Sequence, residues 1–152
     1  MLHFAARAEP FRALCVEEDA VQRKLLQACF DVVGAEALFA ATAAQALALF
    51  RRCDVDIVLM DFDLHTADEL AAFEAMQATP QWRVPILAVT DNDARWSEED
   101  YRQVGFAGLY VKPIEPSRLI TAMDGVLRGI GQPPLLLSDH MPNLAPGLAY
   151  LH

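Results

Sequence analysis

Val55-Asp56-Ile57-Val58-Leu59-Met60-Asp61-Phe62-Asp63 decides how this chain is read. Ile57 to Met60 is a short unbroken apolar run, the pattern of a strand buried on both faces. It ends abruptly in Asp61, and a second carboxylate follows at Asp63. In a parallel α/β sheet, ligands collect just outside the carboxyl ends of the strands. A carboxylate there is held by a rigid strand while its oxygens face solvent. Asp61 is therefore a candidate nucleophile, or a ligand for a hard cation such as Mg²⁺. A strand running into an ordinary polar loop would look the same, so the weight falls on the other strand ends.

Upstream, Phe11 to Val16 reads as a first buried strand running into Glu17-Glu18-Asp19. Val21 to Val33 carries apolar residues at Val21, Leu25, Cys29 and Val32, with Leu26, Phe30 and Val33 alongside. That is helical spacing, with Asp19 placed to cap the start and Gly34 to close the end. Ala37 to Ala41 is a weak second strand, Ala43 to Arg51 an Ala-rich second helix, and Asp56 to Met60 the central strand. Downstream come a third helix from about Asp68 to Ala78 and a fourth strand, Pro85 to Thr90. A fourth helix follows near Ser97 to Val104, then a short fifth strand, Leu109 to Val111, stopped by Lys112-Pro113. A fifth helix spans about Pro116 to Arg128. Strands and helices alternate five times, which predicts an α/β doubly wound, five-stranded parallel sheet with helices on both faces.

Composition narrows the function. The length of 152 residues suits one domain, and the apolar fraction is 54%. The net charge is −9 and no basic cluster occurs, so direct nucleic-acid binding has no electrostatic footprint. Cys15, Cys29 and Cys53 match neither a disulfide framework nor a zinc site and read as reduced thiols in a cytoplasmic protein. Met1 to Pro10 lacks the apolar core of a signal peptide. The weakly charged window Val32 to Phe50 is too rich in alanine for a membrane span.

Four of the five predicted strands finish on a charged or hydroxyl group: Glu17-Glu18, Asp61, Thr90 and Lys112. In a doubly wound sheet these ends can converge on one pocket. Acidic groups hold Mg²⁺, a carboxylate accepts a phosphoryl group, and a hydroxyl and an ammonium neutralise the transferred oxygens.

In this ordered set the chain resembles the receiver domain of two-component response regulators, from roughly Phe11 to Arg128. The resemblance implies a flavodoxin-like receiver fold and a single-domain response regulator in a phosphorelay, a signalling protein rather than an enzyme. Asp61 would be the phosphoacceptor, served by a histidine kinase or phosphotransferase. Thr90 and Lys112 would contact the phosphoryl oxygens. Glu17, Glu18, Asp61 and the main-chain carbonyl of Asp63 would hold Mg²⁺, and the Lys112–Pro113 bond would be cis. Signalling would run by contact of the fourth and fifth helices with a downstream protein, without direct nucleic acid or membrane binding.

The chain also departs from the family pattern. Glu18 stands where Asp is usual, which implies weak Mg²⁺ binding because the ligand is one methylene longer. His65 replaces proline, and Glu69 replaces glycine and adds charge beside the pocket. Leu109 stands where an aromatic switch residue is usual, and strand alternation sends Tyr110 to the opposite face. The alternatives are a degenerate pseudo-receiver acting as a phosphorylation-independent interaction module, and a haloacid dehalogenase-like phosphohydrolase using Asp61-Phe62-Asp63. Residues 1–10 read as an N-terminal extension, 11–129 as the receiver, and 130–152 as a Pro/Leu-rich tail with no output domain. The tail's Leu135 to Leu137 are expected to pack on the domain or in a homodimer.

Overall fold

The computed structural model describes residues 10–62, 66–80, 83–91 and 96–130. Asp63, His65 and nearly all of the expected N-terminal extension and tail lie outside the described residues. The elements are β1 (Arg12–Val16), α1 (Ala20–Val33), β2 (Glu36–Ala40), α2 (Ala43–Arg52) and β3 (Ile57–Asp61), then α3 (Ala67–Gln77), β4 (Ile86–Thr90), α4 (Glu98–Val104), β5 (Gly108–Val111) and α5 (Pro116–Gly129). The strands form one parallel sheet in the order β2-β1-β3-β4-β5. The chain moves outward from β1 to β2 and returns to the far side of β1 for β3. The crevice beyond the carboxyl ends of β1 and β3 is therefore a topological switch point. Val16 lies opposite Met60, and Asp61 opposite Val89, which sets Asp61 at that edge.

Alternation along the strands feeds two cores. Cys15, Ile57, Leu59 and Leu87 face α1 and α5, packing on Phe30, Leu119 and Met123. Leu14, Val58, Met60 and Ala88 face α2, α3 and α4, packing on Phe50, Phe73 and Tyr101. Both faces of the central strands are apolar because both are covered. No helix among the described residues is long and apolar enough to cross a membrane.

Helix α1 buries one of the two apolar rows in its sequence. Its buried residues are Leu26, Cys29, Phe30 and Val33. Of the stripe read from the sequence, Val21, Leu25 and Val32 are instead 66%, 42% and 39% exposed. Helix α1 carries two adjacent apolar stripes, and a helix on a sheet buries only one. The stripe with the bulkier Leu26 and Phe30 fills the space above β1 and β3, so Val21, Leu25 and Val32 face outward.

The helix ends follow from side-chain chemistry. Asp19 accepts from the Val21 and Gln22 amides at the start of α1, and Gly34 closes it with φ 73°. That left-handed conformation strains any residue with a Cβ. Helices α3 and α4 both open with reciprocal capping boxes, Thr66 with Glu69 and Ser97 with Asp100.

Candidate functional site

Three strands bring the charged groups together. Glu17 follows β1, and its amide donates to the Ala40 carbonyl at 2.9 Å, which carries the sheet pairing one residue further. Its side chain is buried at 5% exposure. Oε2 accepts from the Asp19 amide at 3.2 Å. Oε1 lies 4.0 Å from Lys112 Nζ. The same ammonium is 3.4 Å from Asp61 Oδ2. One cation thus sits between carboxylates from the ends of β1 and β3.

A backbone hydrogen bond holds the Lys112 main chain in place. Its amide donates to the Thr90 carbonyl at 2.8 Å, extending the β4–β5 pairing. The Lys112–Pro113 bond is cis. Tyr110, on the α1/α5 side of the sheet, donates its hydroxyl to the Pro113 carbonyl at 2.8 Å and accepts from the Glu115 amide at 2.9 Å. Burial pushes the Tyr110 phenol upward, and the Glu115 backbone contact partly offsets this. Leu109 packs with the opposite core, so the two faces are assigned as the alternation predicts.

The remaining residues fall into different places. Thr90 is buried, and its hydroxyl donates to the Asp91 carbonyl at 2.8 Å. Glu18 is exposed and lines a cavity of about 440 Å³, whose wall also includes Glu17, Asp61, Thr66, Glu69 and Asp91. Glu69 acts within its own helix start, where its Oε1 accepts from the Thr66 amide at 3.2 Å while Thr66 Oγ1 accepts from the Glu69 amide at 3.1 Å. Its charge thus complements the positive end of the α3 dipole.

The sequence reading missed Arg23. From the first turns of α1, its Nη1 donates to the Glu17 carbonyl at 2.9 Å and to the Glu18 carbonyl at 2.8 Å. A signal was available, since a cation near a helix N-terminus opposes the helix dipole and needs a compensating partner.

The donor set fits a hard cation. All its groups are carboxylate oxygens, and Glu17 and Asp61 already direct theirs at one cationic point, the Lys112 ammonium. No group of three metal-ligating side chains occurs among the described residues. Asp63, expected to add a main-chain oxygen, lies outside them.

Comparison with known proteins identifies the family and the fold. The polar-differentiation response regulator DivK of Brucella anthropi is 28% identical over 119 residues, covering 78% of this chain and 97% of that protein. The chemotaxis response regulator CheY4 of Vibrio cholerae shares the fold, with a TM-score of 0.70 at 23% identity over 78% of this chain and all of that one. The receiver domain of the sensor histidine kinase PA1611 of Pseudomonas aeruginosa superposes with a TM-score of 0.68 at 27% identity. It covers 82% of this chain and 100% of its own, and has a magnesium ion coordinated in its active-site cleft. Residues 13–124 match the response regulator receiver domain family, and the chain belongs to it.

Proposed function

We propose that this chain is a response regulator that accepts a phosphoryl group on Asp61 from a histidine kinase or phosphotransferase and signals by protein contact. The observation that carries this reading is the Lys112 ammonium 3.4 Å from Asp61 Oδ2, at the end of β3 and beside an acidic cavity. An Asp61 oxygen attacks the donor's phosphorus, a P–O bond forms, and the P–N bond to the donor imidazole breaks. Lys112 lies where it neutralises charge growing on the phosphoryl oxygens. The Thr90 hydroxyl turns from the Asp91 carbonyl to donate to one of them. Mg²⁺, held by Glu17, Glu18, Asp61 and the Asp63 main-chain carbonyl, would supply the rest of the charge neutralisation.

Val21, Leu25 and Val32, together with exposed Ala28, form a stripe at spacings of four, three and four along α1, whose start adjoins the site. That spacing suits a helix of the phosphoryl donor. Residues 11–129 form the signalling unit in this reading, with α4 and α5 as the surface offered to a downstream protein.

Acetyl phosphate with Mg²⁺ should add one phosphoryl group, labile at alkaline pH and visible by intact mass. Asp61→Asn should remove it. Equal modification of the Asn variant would overturn the assignment. A wild-type chain that stays unmodified would favour a phosphorylation-independent interaction module, and turnover of a generic phosphate ester would favour a phosphohydrolase.

A further inference from the structure

Glu17 and Glu18 adjoin in sequence but do different things. The Glu17 carboxylate already has partners within the chain, the Asp19 amide at 3.2 Å and the Lys112 ammonium at 4.0 Å. The Glu18 carboxylate takes no hydrogen bond or ion pair among the described residues, yet Glu18 lines the acidic cavity. A flexible, exposed glutamate is a poor ligand unless its backbone is fixed, because ordering it costs entropy at the moment of binding.

Arg23 does that fixing. The Glu17 carbonyl belongs to the peptide plane before the Glu18 Cα, and the Glu18 carbonyl to the plane after it. One guanidinium nitrogen holds both, at 2.9 and 2.8 Å. A residue has only two soft backbone dihedrals, and holding the oxygens of both flanking planes restrains them, so the direction of the Glu18 Cα–Cβ bond is restrained as well. These are charge-assisted hydrogen bonds, stronger than neutral ones. Carbonyls, not carboxylates, take up the guanidinium, which leaves the acidic oxygens for another cation.

We infer that Arg23 is a positioning residue, acting through Glu18 to aim its carboxylate into the cavity for a divalent cation. This rests on the proposed phosphoacceptor reading, in which the site holds Mg²⁺. The charge of Arg23 acts in the opposite direction, since a nearby positive charge repels Mg²⁺. Positioning and repulsion therefore predict opposite signs when the guanidinium is removed.

Calorimetric Mg²⁺ titrations of the full chain separate them. Arg23→Met should weaken binding about tenfold, the lower end for loss of a group that orients a metal ligand. Arg23→Lys, which keeps the charge and a donor, should fall between it and wild type. In a Glu18→Gln background, Arg23→Met should cause no further loss, because the ligand it orients is gone. With acetyl phosphate, Arg23→Met should need about tenfold more Mg²⁺ for half-maximal modification of Asp61 and still reach the wild-type plateau. Unchanged or tighter Mg²⁺ binding in Arg23→Met, or additive losses in the double variant, would overturn the inference. If wild type binds Mg²⁺ and is modified on Asp61 while the Arg23 variants behave like it, only the role of Arg23 falls. A wild-type chain that does neither would overturn both readings.

Discussion

Lys112 shows how much one side chain carries at this site. Its ammonium faces Asp61 at 3.4 Å and Glu17 at 4.0 Å, with side-chain exposures of 15% for the lysine, 22% for Asp61 and 5% for Glu17. Breaking a fully buried ion pair costs about 3–5 kcal/mol, and partial exposure of Lys112 and Asp61 lowers this. Lys112→Met should therefore cost roughly 2 kcal/mol in urea unfolding. Mg²⁺ should restore more stability to that variant than it adds to wild type, because a ligand bound only by the folded state stabilises it by linkage. Equal Mg²⁺ responses would show that the lysine and the metal do not share the carboxylates. Glu18→Asp, one methylene shorter, should tighten Mg²⁺ binding. Equal or poorer affinity by titration would mean that the backbone around Glu18 is already fitted to the longer side chain.

At the scale of elements, short helices depend on their caps and α1 on which stripe it buries. Helix α4 has seven residues and opens with the reciprocal Ser97–Asp100 box, with three acidic residues in its first turn. Ser97→Ala should cost about 1 kcal/mol and speed amide exchange across Glu98–Val104. Unchanged exchange there would show that Tyr101, packed against Phe62 at 6.3 Å and Trp96 at 5.0 Å between ring centroids, anchors the helix by itself. On α1, Leu25→Ser should change stability by no more than about 0.5 kcal/mol, whereas Phe30→Ala should cost about 3–5 kcal/mol. The Leu25 variant should instead accept a phosphoryl group more slowly from a donor protein and at the normal rate from acetyl phosphate. Equal slowing with both donors would place Leu25 outside any docking face.

Across the whole molecule, one core concentrates groups that resist ionisation. Cys15, Cys29 and Tyr110 all lie on the α1/α5 side of the sheet. Burial, the largest cause at each, pushes the Cys15 thiol far up and the Cys29 thiol up to about 11, and raises the Tyr110 phenol. A raised folded-state pKa means that the folded chain keeps its proton where the unfolded chain has lost it. The stabilisation is complete below the unfolded pKa, near 8.5 for cysteine and 10 for tyrosine, and is lost as pH rises toward the folded value. The melting temperature should therefore be nearly flat from about pH 7 to 8 and fall above about pH 9. Cys29→Ala should flatten that fall, and an unchanged alkaline limb would locate the loss elsewhere.

The sequence by itself determined the order of elements, the parallel sheet and the convergence of Glu17, Asp61 and Lys112 on one edge. Those features follow from local signals: apolar runs of strand length, helical spacing, caps, and polar groups where runs stop. Even the opposed faces of Leu109 and Tyr110 follow from the two-residue period of a strand. Which stripe of α1 meets the sheet could not be read the same way, because Val21, Leu25 and Val32 are as apolar as the residues beside them. Only the shape of the space above β1 and β3 selects Leu26, Phe30 and Val33. The tertiary structure also divided the labour of the acidic pair, since burial and the reach of Lys112 depend on strands far apart in sequence. The partners of Arg23 were decided there too: its place at a helix start signals that it needs one, but only the fold shows that two backbone carbonyls serve.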